Sequence, residues 1–348
     1  KFKELHKENK FHLLHSVDSS GRLIAKFKRR FKVAVAFDVE ATHMSGIFTA
    51  LANSSQENIR SLIKTSLVIT YRFVKHFLAS DRKILRSADG VFVTGPLQRF
   101  ILERYYLYPE FRTYTVPYGI EIGDLSPREE SDEIREKLGV PKGAHVVVTI
   151  TDMAEFEEMK NLLRGFEKVA IKKTSARFII VGDGPLRKKI EFEMLNLALG
   201  DRVIFTGAVS NVELSNYIAL ADAFVNISSR TSGFEPNLLE AMAQKKVIIG
   251  SEISPMATIV DDGVDGFLIR PADIHSLSSL LIHLFADEID AENVGNKARQ
   301  KVIDLFDKDK MLQLVLHAYF CTLENSGYYP RERTKLNWYA PKAINPAH

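Results

Sequence analysis

The chain has 348 residues, of which 45% are hydrophobic and 26% are charged, and its formal net charge is +3. This length accommodates two domains of ordinary size, and the composition is that of a globular protein. No run approaches the roughly 18 apolar residues that a membrane-spanning helix needs, and no secretory signal opens the chain. The small net charge gives no general case for nucleic-acid binding. The single cysteine excludes an internal disulfide, so we expect a cytoplasmic protein.

The first predicted domain covers residues 1–122. The chain begins at Lys1 with a pattern typical of the middle of a domain, so we expect the earliest strands of this domain to lie outside the sequence given. Apolar runs predict strands at "FHLLHSV" (11–17), "KVAVAFDV" (32–39), "GVFVTG" (90–95) and "TYTVPYGI" (113–120). Apolar side chains at helical spacing over residues 62–85 separate the second strand from the third. Strands that alternate with helices predict parallel βαβ units.

Residues 123–143 are polar and charged, which predicts a linker that carries one helix, "DEIREKLG" (132–139). The second predicted domain covers residues 144–325. Its strand candidates are "HVVVTI" (145–150), "RFIIVG" (177–182), "RVIFTG" (202–207), "AFVNIS" (223–228), "KVIIGS" (246–251) and "GFLIRP" (266–271). Helical segments lie between most of them, and "SNVE" (210–213) has the pattern of a capping box. This alternation predicts a doubly wound domain whose ligand binds at the carboxyl ends of the strands.

The stretch "GFEPNLLEAM" (233–242) is the first candidate for a ligand site. Pro236 is a suitable first helical residue, which places Gly233 and Phe234 just before a helix N-terminus. The free N–H groups and the dipole at that position favour a phosphate. Glu240 would then lie about one turn into the helix, either within reach of ribose hydroxyls or as an ordinary solvated glutamate.

The loop after the first strand of the second domain, within "TITDMAEFEEMKNLLRGF" (149–166), is acidic. It carries four acids, namely Asp152, Glu155, Glu157 and Glu158. Lys160 is the base that lies nearest to them in the sequence. A diphosphate would require cations in this position.

Four ordered blocks of the second half resemble the retaining family 4 (group 1) glycosyltransferases. The blocks are "FIIVGDGPLRKKIE", "VIFTGAVSNVELSNYIALADAFVNIS", "LLEAMAQKKVIIGSE" and "IVDDGVDGFLIRP". The first domain resembles that family more loosely, through "LLHSVDSSG", "VAVAFDVEATH" and "YTVPYGIEIGDLSP". The resemblance implies an α/β fold of GT-B architecture, with two facing Rossmann-like doubly wound domains, of which the N-terminal one is incomplete here.

The resemblance also implies that the second domain binds a nucleoside-diphosphate sugar. Gly207 and Val209 in "GAVS" would then read the base, and Glu240 would hold the ribose. The loop that contains Gly233, Phe234 and Glu235 would face the sugar and the phosphates. We expect no cofactor and no metal besides this nucleotide sugar.

Several positions depart from the family pattern, which places an arginine and a lysine five residues apart beside the diphosphate. Alignment on the helix phenylalanine Phe166 assigns Asp152 and Glu157 to these positions, so both charges are reversed. Sliding the helix by three residues would instead make Lys160 the cation. The first glutamate of the family pattern, which contacts the transferred sugar, corresponds to Ser232, or to Thr231 when the alignment is counted forward.

In the first domain, Asp38, Glu40 and His43 follow a strand end, where the family places residues of the acceptor side. His43 and Asp38 are therefore the catalytic candidates. His43 would steer a proton or polarise the donor, and an ordinary hydrogen-bonded loop histidine is the alternative.

Two basic segments are candidates for contacts with other molecules. The run "KFKRRFK" (26–32), together with Lys64, Arg72 and Lys75, would either meet anionic lipid at the inner membrane face or form a solvated basic face. The tail, residues 326–348, would either pack on the first domain or bind a protein partner.

Two functions follow from these patterns. The favoured one is a retaining glycosyltransferase that moves a sugar from a nucleotide donor to a glycan, a lipid or another acceptor. The alternative is a catalytically degenerate GT-B protein that acts as a binding or regulatory partner. The Glu240 loop matches the family pattern, which favours the transferase, whereas the reversed charges at Asp152 and Glu157 favour the alternative.

Overall fold

The computed structural model of the chain contains two parallel β-sheets flanked by helices. It describes residues 1–17, 20–39, 42, 44, 47, 66–67, 70–71, 80–123, 127, 132–228, 236–253, 256–270 and 272–328. Two of the candidate segments therefore fall largely outside the described residues. They are the loop with Thr231, Ser232, Gly233, Phe234 and Glu235, and the acceptor-side loop with Glu40 and His43. Lys64, Arg72, Lys75 and residues 329–348 also lie outside them.

The first sheet has four parallel strands in the order β1-β2-β3-β4. The strands are β1 (Leu13–Val17), β2 (Ala34–Asp38), β3 (Gly90–Val93) and β4 (Thr113–Thr115), which confirms the four predicted runs. The helices described around it are α1 (Phe2–Glu8), α2 (Arg22–Ala25), α3 (Lys28–Phe31), α4 (Ser80–Leu85) and α5 (Pro96–Tyr105). β2 is almost entirely buried, as expected for a strand of a parallel sheet that is covered on both faces.

The second sheet has six parallel strands in the order β10-β9-β8-β5-β6-β7. The strands are β5 (Val146–Ile150), β6 (Arg177–Val181), β7 (Val203–Gly207), β8 (Ala223–Asn226), β9 (Val247–Ser251) and β10 (Phe267–Ile269). All six predicted strands are confirmed. The chain runs outward from β5 to β7 and then crosses to β8 on the other side of β5, which is the doubly wound order.

Helices pack on both faces of the second sheet and complete two hydrophobic cores. In chain order they are α6 (Asp132–Leu138), α7 (Phe156–Lys172), α8 (Arg187–Asn196), α9 (Asn211–Ala219), α10 (Pro236–Ala243), α11 (Met256–Ile259), α12 (Ile274–Leu284) and α13 (Ala291–Leu305). The helix predicted within the linker is confirmed as α6. Ile134 and Leu138 of α6 pack against the core on one face of the second sheet.

The last described helix, α14 (Lys308–Ser326), returns to the first sheet. Its residue Ala318 lies in a small core with Ala36 and Phe92. Thr322 is fully buried against Gly90, where a side chain on the glycine would collide with the threonine hydroxyl. The chain thus passes from the first sheet to the second and returns to the first with α14. The sequence predicted instead that residues up to 325 form part of the second domain.

The two crossings are held together by backbone hydrogen bonds. The Ile120 amide donates to the Phe306 carbonyl at 2.9 Å, and the Lys308 amide donates to the Ile120 carbonyl at 3.1 Å. A second contact joins the two halves of the chain after β3. A Cβ on Gly95 would be 3.8 Å from the hydroxyl of Thr258 in α11. The carboxyl edge of the first sheet therefore faces the second sheet's helices. No helix within the described residues is long and apolar enough to span a bilayer.

Candidate functional site

The candidate site lies at the carboxyl ends of β5 and β8, which are neighbours in the second sheet. The strand order reverses between these two strands, and ligands of doubly wound sheets bind at such a reversal. The loop after β5 begins at Thr151, and the loop after β8 includes Ile227 and Ser228 before the described chain resumes at Pro236. The fold therefore brings together two of the loops that were singled out in the sequence.

The acidic loop after β5 is held by its own hydrogen bonds. The Asp152 carboxylate accepts from the Ala154 amide at 3.2 Å, and the Thr151 hydroxyl accepts from the Met153 amide at 3.0 Å. Met153 is fully buried with a left-handed backbone (φ 48°). Asp152 therefore stabilises the turn that places the buried methionine, which is a structural use of its negative charge.

The second reversed charge, Glu157, is paired with a cation. Its carboxylate is 3.4 Å from the Lys160 ammonium, one helical turn along α7. The Lys160 side chain is 24% exposed, whereas that of Glu157 is 74% exposed. Because an exposed pair of this kind contributes little to stability, the main consequence is a reduced negative field at the start of α7.

Lys189 is a further cation beside this loop, and the sequence interpretation missed it. Its ammonium lies 3.7 Å from the centroid of the Phe156 ring, and the Lys160 ammonium lies 5.9 Å from the same centroid. Phe156 is the first residue of α7, so two lysines from different helices meet at the end of the acidic loop. The run "RKK" directly after "GDGP" was the signal that could have indicated Lys189.

The two glycines of "GDGP" are required by the loop after β5. A side chain on Gly182 would collide with the Thr151 carbonyl, and one on Gly184 would collide with the Asp152 carbonyl. Gly182 also has a φ of 122°, which an L-residue rarely adopts. These glycines therefore serve the close packing of two loops.

The segment predicted to contact the base of the nucleotide begins at Gly207, the last residue of β7. Gly207 has a φ of 75°, and its carbonyl accepts from the Gly182 amide at 3.0 Å. The Arg187 guanidinium lies next to it, 3.4 Å from where a Gly207 side chain would begin. Val209 is half-buried against the core, and Ser210 with Glu213 forms the predicted capping box at the start of α9.

Helix α10 begins at Pro236, as predicted, and Glu240 lies just over one turn into it. The residue is half-buried, and its Oε2 atom is inaccessible to solvent. The buried side chains Leu238, Leu239 and Met242 anchor the opposite side of α10 in the core. Glu240 is therefore held on a rigid helix next to the loop that follows β8.

Asp38, a catalytic candidate from the sequence, ends β2 and lies near Tyr319 of α14. Burial raises the pKa of Tyr319, and the negative charge of Asp38 raises it further. Tyr319 also shares a hydrogen bond of 2.6 Å with His15. The structure thus connects Asp38 with the C-terminal helix, a neighbour that the sequence interpretation did not identify.

The basic run at residues 26–32 does not present a uniform charged surface. Lys28 turns inward and pairs with the buried Asp89 at 2.7 Å. Arg29 and Arg30 are exposed. No group of three or more His, Cys, Asp or Glu within the described part of the chain is arranged to hold a metal ion.

Residues 130–301 match the family model "Glycosyl transferases group 1". Among curated proteins, the chain is 26% identical to the alpha-monoglucosyldiacylglycerol synthase of Streptococcus pneumoniae over 274 residues, which are 72% of this chain and 59% of that protein. The chain spans 51% and 59% of the lengths of the first two curated relatives that it matches.

Two solved structures have a similar fold. Sucrose-phosphate synthase from Thermosynechococcus elongatus has a TM-score of 0.72 at 21% identity, over 92% of this chain and 75% of that one. Anabaena HepE in complex with UDP-glucose has a TM-score of 0.71 at 16% identity, over 92% and 81% of the two chains. Residues 130–301 therefore resemble the group 1 glycosyl transferases in sequence, and the chain has the GT-B fold.

Proposed function

We propose that this protein transfers a glycosyl group from a nucleoside-diphosphate sugar to a glycan or lipid-linked acceptor, with retention at the anomeric carbon. The observation that carries the proposal is the position of Glu240, half-buried one turn into α10 beside the strand-order reversal. The GT-B fold and the group 1 match of residues 130–301 support it.

Glu240 has the chemistry needed to hold the ribose. Each oxygen of a carboxylate has two lone pairs, so a single accessible oxygen can accept hydrogen bonds from two neighbouring hydroxyls. A hydrogen bond to a charged acceptor is stronger than one between neutral groups. One oxygen of Glu240 is buried, so the other oxygen is the one that would meet the ribose.

The diphosphate requires positive charge, and Lys160 and Lys189 are the candidates. Both ammonium groups lie at Phe156, which follows the loop after β5. We propose that they take the positions of the arginine and lysine of the family pattern. Lys189 adds a net positive charge, and Lys160 offsets the charge of Glu157. The Asp152 carboxylate caps a turn of its own loop. The start of α10 adds the partial positive charge of a helix N-terminus.

The acceptor would bind on the first domain, residues 1–122. Asp38 stands at the carboxyl edge of its sheet, and this edge faces α11 through Gly95 and Thr258. A lipid-linked acceptor would place the protein at a membrane surface, as the name of the streptococcal relative suggests. Together with His43, Asp38 stays the catalytic candidate of this proposal.

Thermal unfolding with added nucleotides tests donor binding. We expect uridine or guanosine diphosphate to raise the melting temperature, and Glu240→Gln to remove most of this shift while the unliganded protein stays folded. Glu292→Gln is the matched control because it removes the same charge from an exposed helix position in α13. UDP-glucose is a suitable first donor for a turnover assay, in which release of the nucleoside diphosphate is followed.

The lysines are tested by comparing a nucleoside with its diphosphate. Lys160→Met and Lys189→Met should weaken diphosphate binding roughly tenfold or more and leave nucleoside binding unchanged. Lys188→Met, at the exposed neighbouring position, is the control. If no nucleoside diphosphate or nucleotide sugar shifts the melting temperature, the proposal is wrong and the chain is a binding or regulatory protein.

A further inference from the structure

A small cavity of about 280 Å³ lies at the amino-terminal edge of the first sheet. Its walls come from the end of α4 and the turn before β3, and from the segment between α5 and β4. Asp38 is at the carboxyl end of β2, so the cavity is at the opposite edge of this sheet. The proposed transfer reaction does not use it.

Three arginines line the cavity, namely Arg82, Arg86 and Arg112. One Nη of Arg82 donates to the Tyr105 carbonyl at 3.1 Å, which holds its guanidinium in place. Among the described residues that line the cavity there is no aspartate or glutamate. Three guanidinium groups around so small a volume create a strongly positive field.

Two acids that are close in sequence to these arginines are engaged by other cations. Asp89 is buried and paired with Lys28 at 2.7 Å. Glu110 pairs with Arg99 at 2.9 Å, outside the cavity. The charge of the arginines is therefore not balanced by these two carboxylates.

Arg112 provides a second, independent indication that an anion belongs here. Its Nε is buried and has no hydrogen-bond acceptor among the described residues. Buried N–H groups without an acceptor are rare in native proteins. An anionic oxygen bound in the cavity would supply the missing acceptor.

The size and shape of the cavity indicate what kind of anion fits. Pockets for whole drug-sized ligands begin at about 300 Å³, so a cavity of about 280 Å³ suits a single phosphate-bearing group better than a complete nucleotide sugar. The planar fork of arginine matches the oxygens of a phosphate in a bidentate fashion.

Two apolar side chains project beside the cavity. Leu107, which lines it, is 83% exposed and has a left-handed backbone (φ 53°). Phe111, next to Arg112 in the chain, is 67% exposed. Apolar tips beside a cluster of arginines suit the boundary between lipid headgroups and acyl chains.

We propose that this cavity binds a phosphate group, and that a phosphate carried on a lipid headgroup binds more tightly than the same group free in water. The arginines would hold the phosphate oxygens, and Leu107 and Phe111 would enter the membrane surface. The proposal does not depend on glycosyl transfer, so it can fail while donor binding succeeds.

The test compares two sources of phosphate. The full chain is mixed with phosphatidylcholine vesicles, with and without phosphatidic acid, and binding is measured by flotation. Free inorganic phosphate and glycerol phosphate are titrated in parallel and followed by thermal unfolding. The variant Arg86→Gln/Arg112→Gln should bind phosphatidic acid vesicles roughly tenfold more weakly or worse.

The control variant is Lys83→Gln/Arg104→Gln. It removes the same charge from exposed positions of α4 and α5 that do not line the cavity, and its binding should be unchanged. Circular dichroism spectra and melting temperatures close to those of the parent protein should show that both variants are folded. If Arg112→Gln prevents folding, Arg86→Glu alone tests the cavity from its exposed side.

Arginine-dependent binding to phosphatidic acid vesicles would support the whole proposal. Arginine-dependent binding of free phosphate without vesicle binding would support the anion site and overturn its preference for lipid. An equal loss in the cavity variant and the control, or no binding in either arm, would overturn the proposal.

Discussion

Replacing Lys28 by glutamine tests whether the basic run of residues 26–32 holds the first sheet together. Lys28 pairs with Asp89 at 2.7 Å, and the two side chains are 18% and 5% exposed. The other oxygen of Asp89 accepts from the Val35 amide at 3.0 Å, inside β2. Without the lysine, a buried carboxylate would keep one neutral donor and lose its counter-ion.

The expected loss in the free energy of unfolding follows from the burial of this ion pair. Removing one partner of a buried ion pair costs about 3 to 5 kcal/mol, and the partial exposure of Lys28 places the expected loss near the lower value. If all 348 residues unfold as one unit, a loss of about 3 kcal/mol corresponds to a melting temperature lower by roughly 4 °C. Urea unfolding followed by circular dichroism would measure the change in the free energy of unfolding.

Arg29→Gln and Arg30→Gln are the matched controls, because both arginines are exposed in the same basic run. Their free energies of unfolding should stay within about 0.5 kcal/mol of the parent protein. The double variant Lys28→Gln/Asp89→Asn should lose less than the sum of its single variants, since it leaves no unpaired charge. If Lys28→Gln is as stable as Arg29→Gln, the pairing is wrong and Lys28 is available for lipid.

Three further perturbations probe the fold around the site. Gly184→Ala would force a Cβ against the Asp152 carbonyl, so we expect a loss of about 1 to 3 kcal/mol in thermal unfolding. Asp273→Ala removes the N-cap of α12 and should cost about 1 kcal/mol at neutral pH. Partial burial lowers the pKa of His15 below its ordinary value of 6.5, but the side chain is still exposed, so stability should decrease only slightly as the pH falls below that value, and His15→Asn should flatten the decrease.

Each of these expectations has a clear contrary result. Parent-like stability of Gly184→Ala would mean that the two loops do not pack as described. Hydrogen bonds from Ser276 lower the pKa of Asp273 from 3.8, so its contribution is present above that value and is lost as the pH falls through the lowered pKa. The Asp273→Ala penalty should therefore shrink at low pH, and a pH-independent penalty would contradict the cap. For His15, an unchanged pH profile in the variant would contradict the role of its burial.

The strands were predictable because parallel strands buried on both faces read as short apolar runs. "HVVVTI" and "RFIIVG" became β5 and β6 within one or two residues. The start of α10 at Pro236 and the capping box at Ser210 and Glu213 were also predictable, because helix caps depend on residues that are close in the chain.

Side-chain neighbours that are distant in the chain were not predictable in this way. The sequence interpretation counted Lys28 as part of a basic face, and did not identify Lys189 as a neighbour of Phe156. The return of α14 to the first sheet was not apparent either, because its apolar residues would suit any helix-covered sheet. Pairing of this kind depends on how the elements pack.

The sequence by itself determined the two-domain α/β organisation, the position of Glu240 on its helix and the reversed charges at Asp152 and Glu157. Local periodicity and spacing specify these features. Only the tertiary structure decided what those charges face, since Asp152 bonds within its own turn and Glu157 pairs with Lys160. It alone gathered the three cavity arginines, which come from two separate segments of the chain. Electrostatic interactions act through space, so their partners follow from the packing of the sheets and helices.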